Sequence, residues 1–124
     1  MDVFLIADDN DAKALWLEAM IMKSGIAKKV IRVKTTDEAK EVIDKEKPEA
    51  AFIDYEMPSE DGPAVITYLL QQNPSAKVAM VSSSNSSNYQ ADAKAAGSHT
   101  YICTSFEEED VVEKVMDTLE EWKI

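Results

Sequence analysis

The chain has 124 residues, 45% hydrophobic and 30% charged, enough for one domain with one core and too few for two. Thirteen Lys and Arg against 24 Asp and Glu leave a net charge of −11, which repels phosphate backbones and argues against direct nucleic-acid binding. No run nears the roughly 20 apolar residues of a bilayer span, the start Met1-Asp2-Val3 lacks the basic stretch of a secretory signal, and the lone Cys103 forms no internal disulfide, so no membrane insertion and a cytoplasmic location are expected.

Strand-like and helical segments alternate along the chain. Val3-Phe4-Leu5-Ile6-Ala7 is short and continuously apolar, as in a strand buried on both faces, and ends in Asp8-Asp9. Ala12, Leu15, Trp16, Ala19 and Met20 then share one helical face, with the helix ending near Gly25. Val30-Ile31-Arg32-Val33 reads as a second strand. Thr35 and Glu38 form a capping box for a helix through Ala39, Val42 and Ile43 that stops before Pro48. Ala50-Ala51-Phe52-Ile53 is a third strand, ending in Asp54. Gly62-Pro63 opens a helix with Val65, Ile66, Leu69 and Leu70 inward, closed before Pro74. Val78-Ala79-Met80-Val81 is a fourth strand, ending in Ser82. A Ser/Asn-rich loop, expected to be flexible, leads to an Ala-rich helix closing at Gly97. Tyr101-Ile102-Cys103 is a fifth strand. Ser105 and Glu108 make a second capping box, opening a helix with Val111, Val112, Val115, Met116, Leu119 and Trp122 inward. The methionines fall mostly on inward positions, as core filler.

This alternation calls for an α/β fold in which a five-stranded parallel sheet carries helices on both faces, over a single domain spanning 1–124. In the doubly wound, flavodoxin-like order 2-1-3-4-5, strands one and three adjoin at the switch point where ligands bind. Asp8, Asp9, Asp54, Ser82 and Thr104 each follow or end a strand, so they converge on one crevice. Two like charges 4 Å apart repel by about 4 kcal/mol at an effective dielectric near 20. Such a carboxylate trio asks for a hard divalent cation, and oxygen donors without a His or Cys cluster favour Mg²⁺. A carboxylate is also a competent nucleophile for phosphoryl transfer. Read singly, Asp8 and Asp9 are equally loop acids, with Asp11 capping the first helix.

These residues carry a family resemblance. The acidic pair Asp8-Asp9 and the segment Asp54-Tyr55-Glu56-Met57-Pro58-Ser59-Glu60-Asp61-Gly62 resemble the CheY-like receiver domain of two-component response regulators, and the likeness covers the whole chain. It implies that Asp54 accepts a phosphoryl group from a histidine kinase or histidine phosphotransfer protein. It further implies that Asp9, Asp54 and the backbone carbonyl of Glu56 hold Mg²⁺, with Asp8 acting through water. Ser82 would hydrogen-bond the phosphoryl group, and Tyr101 would change rotamer to reshape the strand-four to helix-five face for a downstream protein. Glu56 and Ser84 occupy positions that tune phosphoryl lifetime. Without the resemblance, Tyr101 is a half-buried strand aromatic and Ser82 a partner for a backbone group.

One departure stands out. The family ends strand five with Lys-Pro, and this chain has Thr104-Ser105. Thr104 replaces a hydrogen bond but not a charge, and the nearest lysine on that side is Lys94. A pseudo-receiver, the same fold used as a constitutive interaction module, is therefore the alternative to a phosphorylation-driven switch. Neither is an enzyme that turns over an external substrate. The Asp9-Asn10-Asp11 triplet only faintly resembles the nucleophile loop of haloacid-dehalogenase-type phosphatases, because Ala12 follows it. His99 reads as a loop residue and Cys103 as a small buried hydrophobe.

Overall fold

The computed structural model describes residues 1–123; the last position of the 1–124 span lies outside the described residues. Its elements are β1 (Val3–Ala7), α1 (Asp11–Ser24), β2 (Lys29–Val33), α2 (Thr36–Glu46), β3 (Ala50–Ile53), α3 (Gly62–Gln72), β4 (Lys77–Ser82), α4 (Ser87–Ala96), β5 (Thr100–Cys103) and α5 (Glu108–Trp122). All five strands are parallel, as the alternation predicts, and lie in the flavodoxin-like order β2-β1-β3-β4-β5.

Alternate residues of each buried strand feed opposite faces. Phe4, Ile6, Phe52, Val81 and Ile102 pack against Leu17 and Ile21 of α1 and Val115, Leu119 and Trp122 of α5. Leu5, Ala7, Ile53, Val78 and Met80 pack against Ile43 of α2 and Val65, Ile66 and Leu69 of α3. Burial of each large side chain contributes about 1.5–3 kcal/mol. Trp122 anchors the first layer, its ring 6.1 Å from Phe4 and 5.7 Å from Phe52.

Three helix readings need correction. In α1 the buried residues are Ala14, Leu17, Met20 and Ile21, whereas Ala12, Leu15 and Ala19 face solvent. The run from Ala12 to Met22 is apolar except for Lys13 and Glu18, so periodicity alone does not select its face. The Ser105–Glu108 capping box does not form: α5 starts from Glu107, without a side-chain cap, and Ser105 Oγ instead lies 3.0 Å from Cys103 Sγ. Asn10, not Asp11, caps α1, accepting from the Lys13 N–H. Met22 is exposed, unlike the buried Met20, Met57 and Met80. The Thr35 cap is as expected, accepting from the Glu38 N–H at 3.1 Å.

Candidate functional site

Strand register brings the site together. Ala7 stands opposite both Val33 and Ile53, and Ile53 opposite Met80. The ladder runs one step past the strands: the Asp8 N–H donates to Val33 O, and the Asp54 N–H donates to Ala7 O at 2.8 Å. Asp8 and Asp54 thus leave the sheet side by side. On the other flank the Thr104 N–H donates to Ser82 O at 2.9 Å, which carries Thr104 to the same edge. Asp8, Asp9, Asp54, Glu56, Ser82 and Thr104 all line one cleft of about 630 Å³. Tyr101 lies outside it, half-buried on β5, where its hydroxyl donates to Ser84 O at 2.7 Å and burial pushes its phenol pKa up. Cys103 is buried and His99 lies in the loop before β5.

The segment after Asp54 is held by backbone packing. A Cβ on Gly62 would stand 2.1 Å from Asp54 O, so the start of α3 reaches Asp54 only with glycine there. The Gly62 N–H donates to Tyr55 O at 2.6 Å. Thr36, fully buried at the start of α2, donates its hydroxyl to Glu60 O at 2.6 Å and accepts from the Glu60 N–H at 3.2 Å. From the other side α4 grips the segment. Tyr89 donates to Glu56 Oε1 at 2.5 Å, its ring stacks on Tyr55 with centroids 3.6 Å apart, and the Tyr55 hydroxyl donates to Asp92 at 2.7 Å. The Ser/Asn-rich loop is laced by its own hydroxyls: Ser82 Oγ accepts from the Ser84 N–H, and Ser84 Oγ from the Ser86 N–H, each at 3.1 Å.

Electrostatics centre on three carboxylates and one ammonium. Asp8, Asp9 and Asp54 each offer an oxygen within 4.8 Å of the others. Asp8 is buried, Asp54 half-buried and Asp9 exposed. Burial, more than the neighbouring Asp8 charge, pushes the Asp54 carboxyl up to about 6, against the lowering effect of Lys13. Lys13, in the first turn of α1, was missed in the sequence because it sits among apolar residues rather than at a strand end. Its Nζ lies 2.9 Å from Asp8 Oδ2, 3.3 Å from Asp54 Oδ1 and 2.6 Å from Val81 O. Lys94 is the nearest lysine in sequence on the β5 side, but the cation at the site comes from α1, whose Lys13 reaches over the end of β3. Asp8 Oδ2 is nevertheless a buried oxygen without a well-aligned hydrogen bond. Three carboxylates against one ammonium leave two negative charges, which a divalent cation neutralises. The all-oxygen donor set fits such an ion, and so does the buried Asp8 Oδ2, which has the Lys13 ion pair but no hydrogen bond.

Comparison with known proteins agrees with this geometry. A family profile described as the response regulator receiver domain matches residues 4–116. A candidate response regulator from Chloroflexus aurantiacus J-10-fl is 26% identical, with a TM-score of 0.79 over 96% of this chain and 98% of that one. A CheY-like receiver domain protein from Methanospirillum hungatei JF-1 is 24% identical, with a TM-score of 0.81 over 98% and 95%. A Burkholderia pseudomallei response regulator, solved with a phosphorylated aspartic acid, calcium and citrate, is 22% identical, with a TM-score of 0.78 over 99% of this chain and 71% of that one. No curated protein matches the chain.

Proposed function

Because the chain belongs to the response regulator receiver domain family, we propose that Asp54 is its phosphoacceptor and that residues 1–124 form a single receiver domain of a two-component system. The observation that carries this reading is the meeting of Asp54 with Asp8 and Asp9 at one sheet edge. Asp54 Oδ1 accepts from Lys13 and from the Tyr55 N–H, and no hydrogen bond holds Oδ2 among the described residues. Oδ2 is thus free to attack phosphorus. An O–P bond forms as the bond to the leaving group breaks, and the leaving group departs with its electron pair, as the acetate anion from acetyl phosphate or as neutral imidazole from a phosphohistidine protonated on its other ring nitrogen. Asp8, Asp9, Asp54 and the Glu56 carbonyl would hold Mg²⁺, which when bound offsets negative charge during transfer. Ser82 and Thr104, which line the same cleft, would hydrogen-bond the phosphoryl oxygens.

The donor is a histidine kinase or histidine phosphotransfer protein, and the output is a change on the β4-to-α5 face read by a protein partner. Tyr101 is the switch residue on this reading. Its bond to Ser84 O ties β5 to the loop after Ser82, so a new acceptor at Ser82 competes for that loop. The chain accepts a group rather than turning over an external substrate. No described helix is long and apolar enough to cross a membrane, and a cytoplasmic setting with its ATP-dependent kinases suits the reading. Incubation with acetyl phosphate and Mg²⁺, followed by intact mass, tests it. A single adduct that requires both Mg²⁺ and Asp54 is expected. No adduct, even with a candidate kinase supplied, would favour the constitutive interaction module.

A further inference from the structure

Among the described residues, Lys13 is the only basic side chain lining the acidic cleft. Its side chain is 15% exposed, so its ammonium has exchanged much of its water for protein oxygens. One of those is the neutral carbonyl of Val81, at 2.6 Å. That contact holds Nζ beside Asp54 independently of whether the carboxylates carry charge. Asp9 makes no ion pair among the described residues, so the flank where Asp9 meets Asp54 stays open while Lys13 occupies the flank toward β4.

We propose that Lys13 is a catalytic residue of phosphoryl transfer, supplying from α1 the cation that contacts the phosphoryl group on Asp54; this rests on Asp54 being the phosphoacceptor. On transfer Asp54 exchanges its single carboxylate charge for the roughly 1.5 to 2 negative charges of a phosphoryl group, beside the carboxylates of Asp8 and Asp9. Ser82 and Thr104 donate hydrogen bonds but cancel none of that charge. The ammonium lies 3.3 Å from Asp54 Oδ1, and a small rotation of its stem follows the phosphoryl oxygens as Asp54 Oδ2 bonds to phosphorus. Thr104 is then a position released from carrying a cation, because α1 provides it.

The test is the rate of phosphoryl uptake from acetyl phosphate at saturating Mg²⁺, followed by intact mass, for the natural chain, Lys13→Ala, Lys13→Arg and the double variant Lys13→Ala with Thr104→Lys. Circular dichroism checks that each is folded. Lys13→Ala is expected to slow uptake by about tenfold or more, the size of a lost charged hydrogen bond. Lys13→Arg keeps the charge and loses less. Thr104→Lys, which returns an ammonium to the same cleft from the β5 side, restores the rate to within about threefold of the natural chain. A Lys13→Ala rate equal to or above the natural one would make Lys13 a plug that Mg²⁺ displaces, and overturn the proposal. A slow Lys13→Ala that Thr104→Lys fails to restore would assign the loss to α1 packing and overturn it too. If the natural chain itself takes no phosphoryl group, the reading of Asp54 fails and the role of Lys13 with it. Natural uptake with an indifferent Lys13→Ala sinks the role of Lys13 alone.

Discussion

Asp54 pays for its placement in stability, which gives a signed pH dependence. Its carboxyl is raised from 3.8 to about 6, mainly by burial. Between about pH 4 and pH 6 the metal-free folded protein therefore binds more protons than the unfolded chain. The contribution of Asp54 to stability falls as pH rises through that window, and its full cost is present at neutral pH. Asp54→Asn is expected to raise metal-free stability at pH 7.5 by about 1–3 kcal/mol, with the gain shrinking toward zero near pH 4. Urea titrations at both pH values read this out; an equal gain at both would point to packing instead of charge. The acids of this site were legible in the sequence because each directly follows an apolar strand. Lys13 was not, because a helical residue reaches a strand end only through the packing of α1, and the run from Ala12 to Met22 conceals the orientation of that helix.

At the scale of elements, the segment after Asp54 is positioned by neighbours that contribute no chemistry. Thr36 satisfies both the N–H and the carbonyl of Glu60. Thr36→Val keeps the volume, removes both bonds and is expected to cost about 1–3 kcal/mol in urea denaturation. Gly62→Ala forces a methyl against Asp54 O, so either α3 or the Asp54 backbone must shift. A loss of about 1–3 kcal/mol, together with slower phosphoryl uptake, is expected; uptake at the natural rate would show that Asp54 does not depend on that close approach. The Asp-Gly pair at the end of the segment was visible in the sequence, but the contact that requires its glycine was not. Likewise Thr35 and Glu38 announced the start of α2 by local chemistry, while Ser105 and Glu108 carried the same spacing without forming a cap. The difference is tertiary: Ser105 turns toward Cys103.

For the whole molecule, the parallel sheet and its two helical layers followed from the alternation of buried strands with helices, which permits few topologies, whereas the strand order 2-1-3-4-5 came with the flavodoxin-like likeness, because the alternation fits another doubly wound order equally well. The concentration of charge at one sheet edge predicts that stability is sensitive to a divalent cation. Mg²⁺ is expected to raise the thermal midpoint with a concentration dependence set by its affinity, EDTA to reverse the shift, and Asp9→Asn to diminish it. A midpoint indifferent to Mg²⁺ would remove the metal from the reading. The most direct measurement of the central claim is the identity of the modified residue. Borohydride reduces an aspartyl phosphate to homoserine, so peptide mapping after exposure to acetyl phosphate and Mg²⁺ locates the acceptor. Homoserine at position 54 alone is the expected result; homoserine at Asp8 or Asp9, or at no position despite a mass adduct, would contradict the assignment of Asp54.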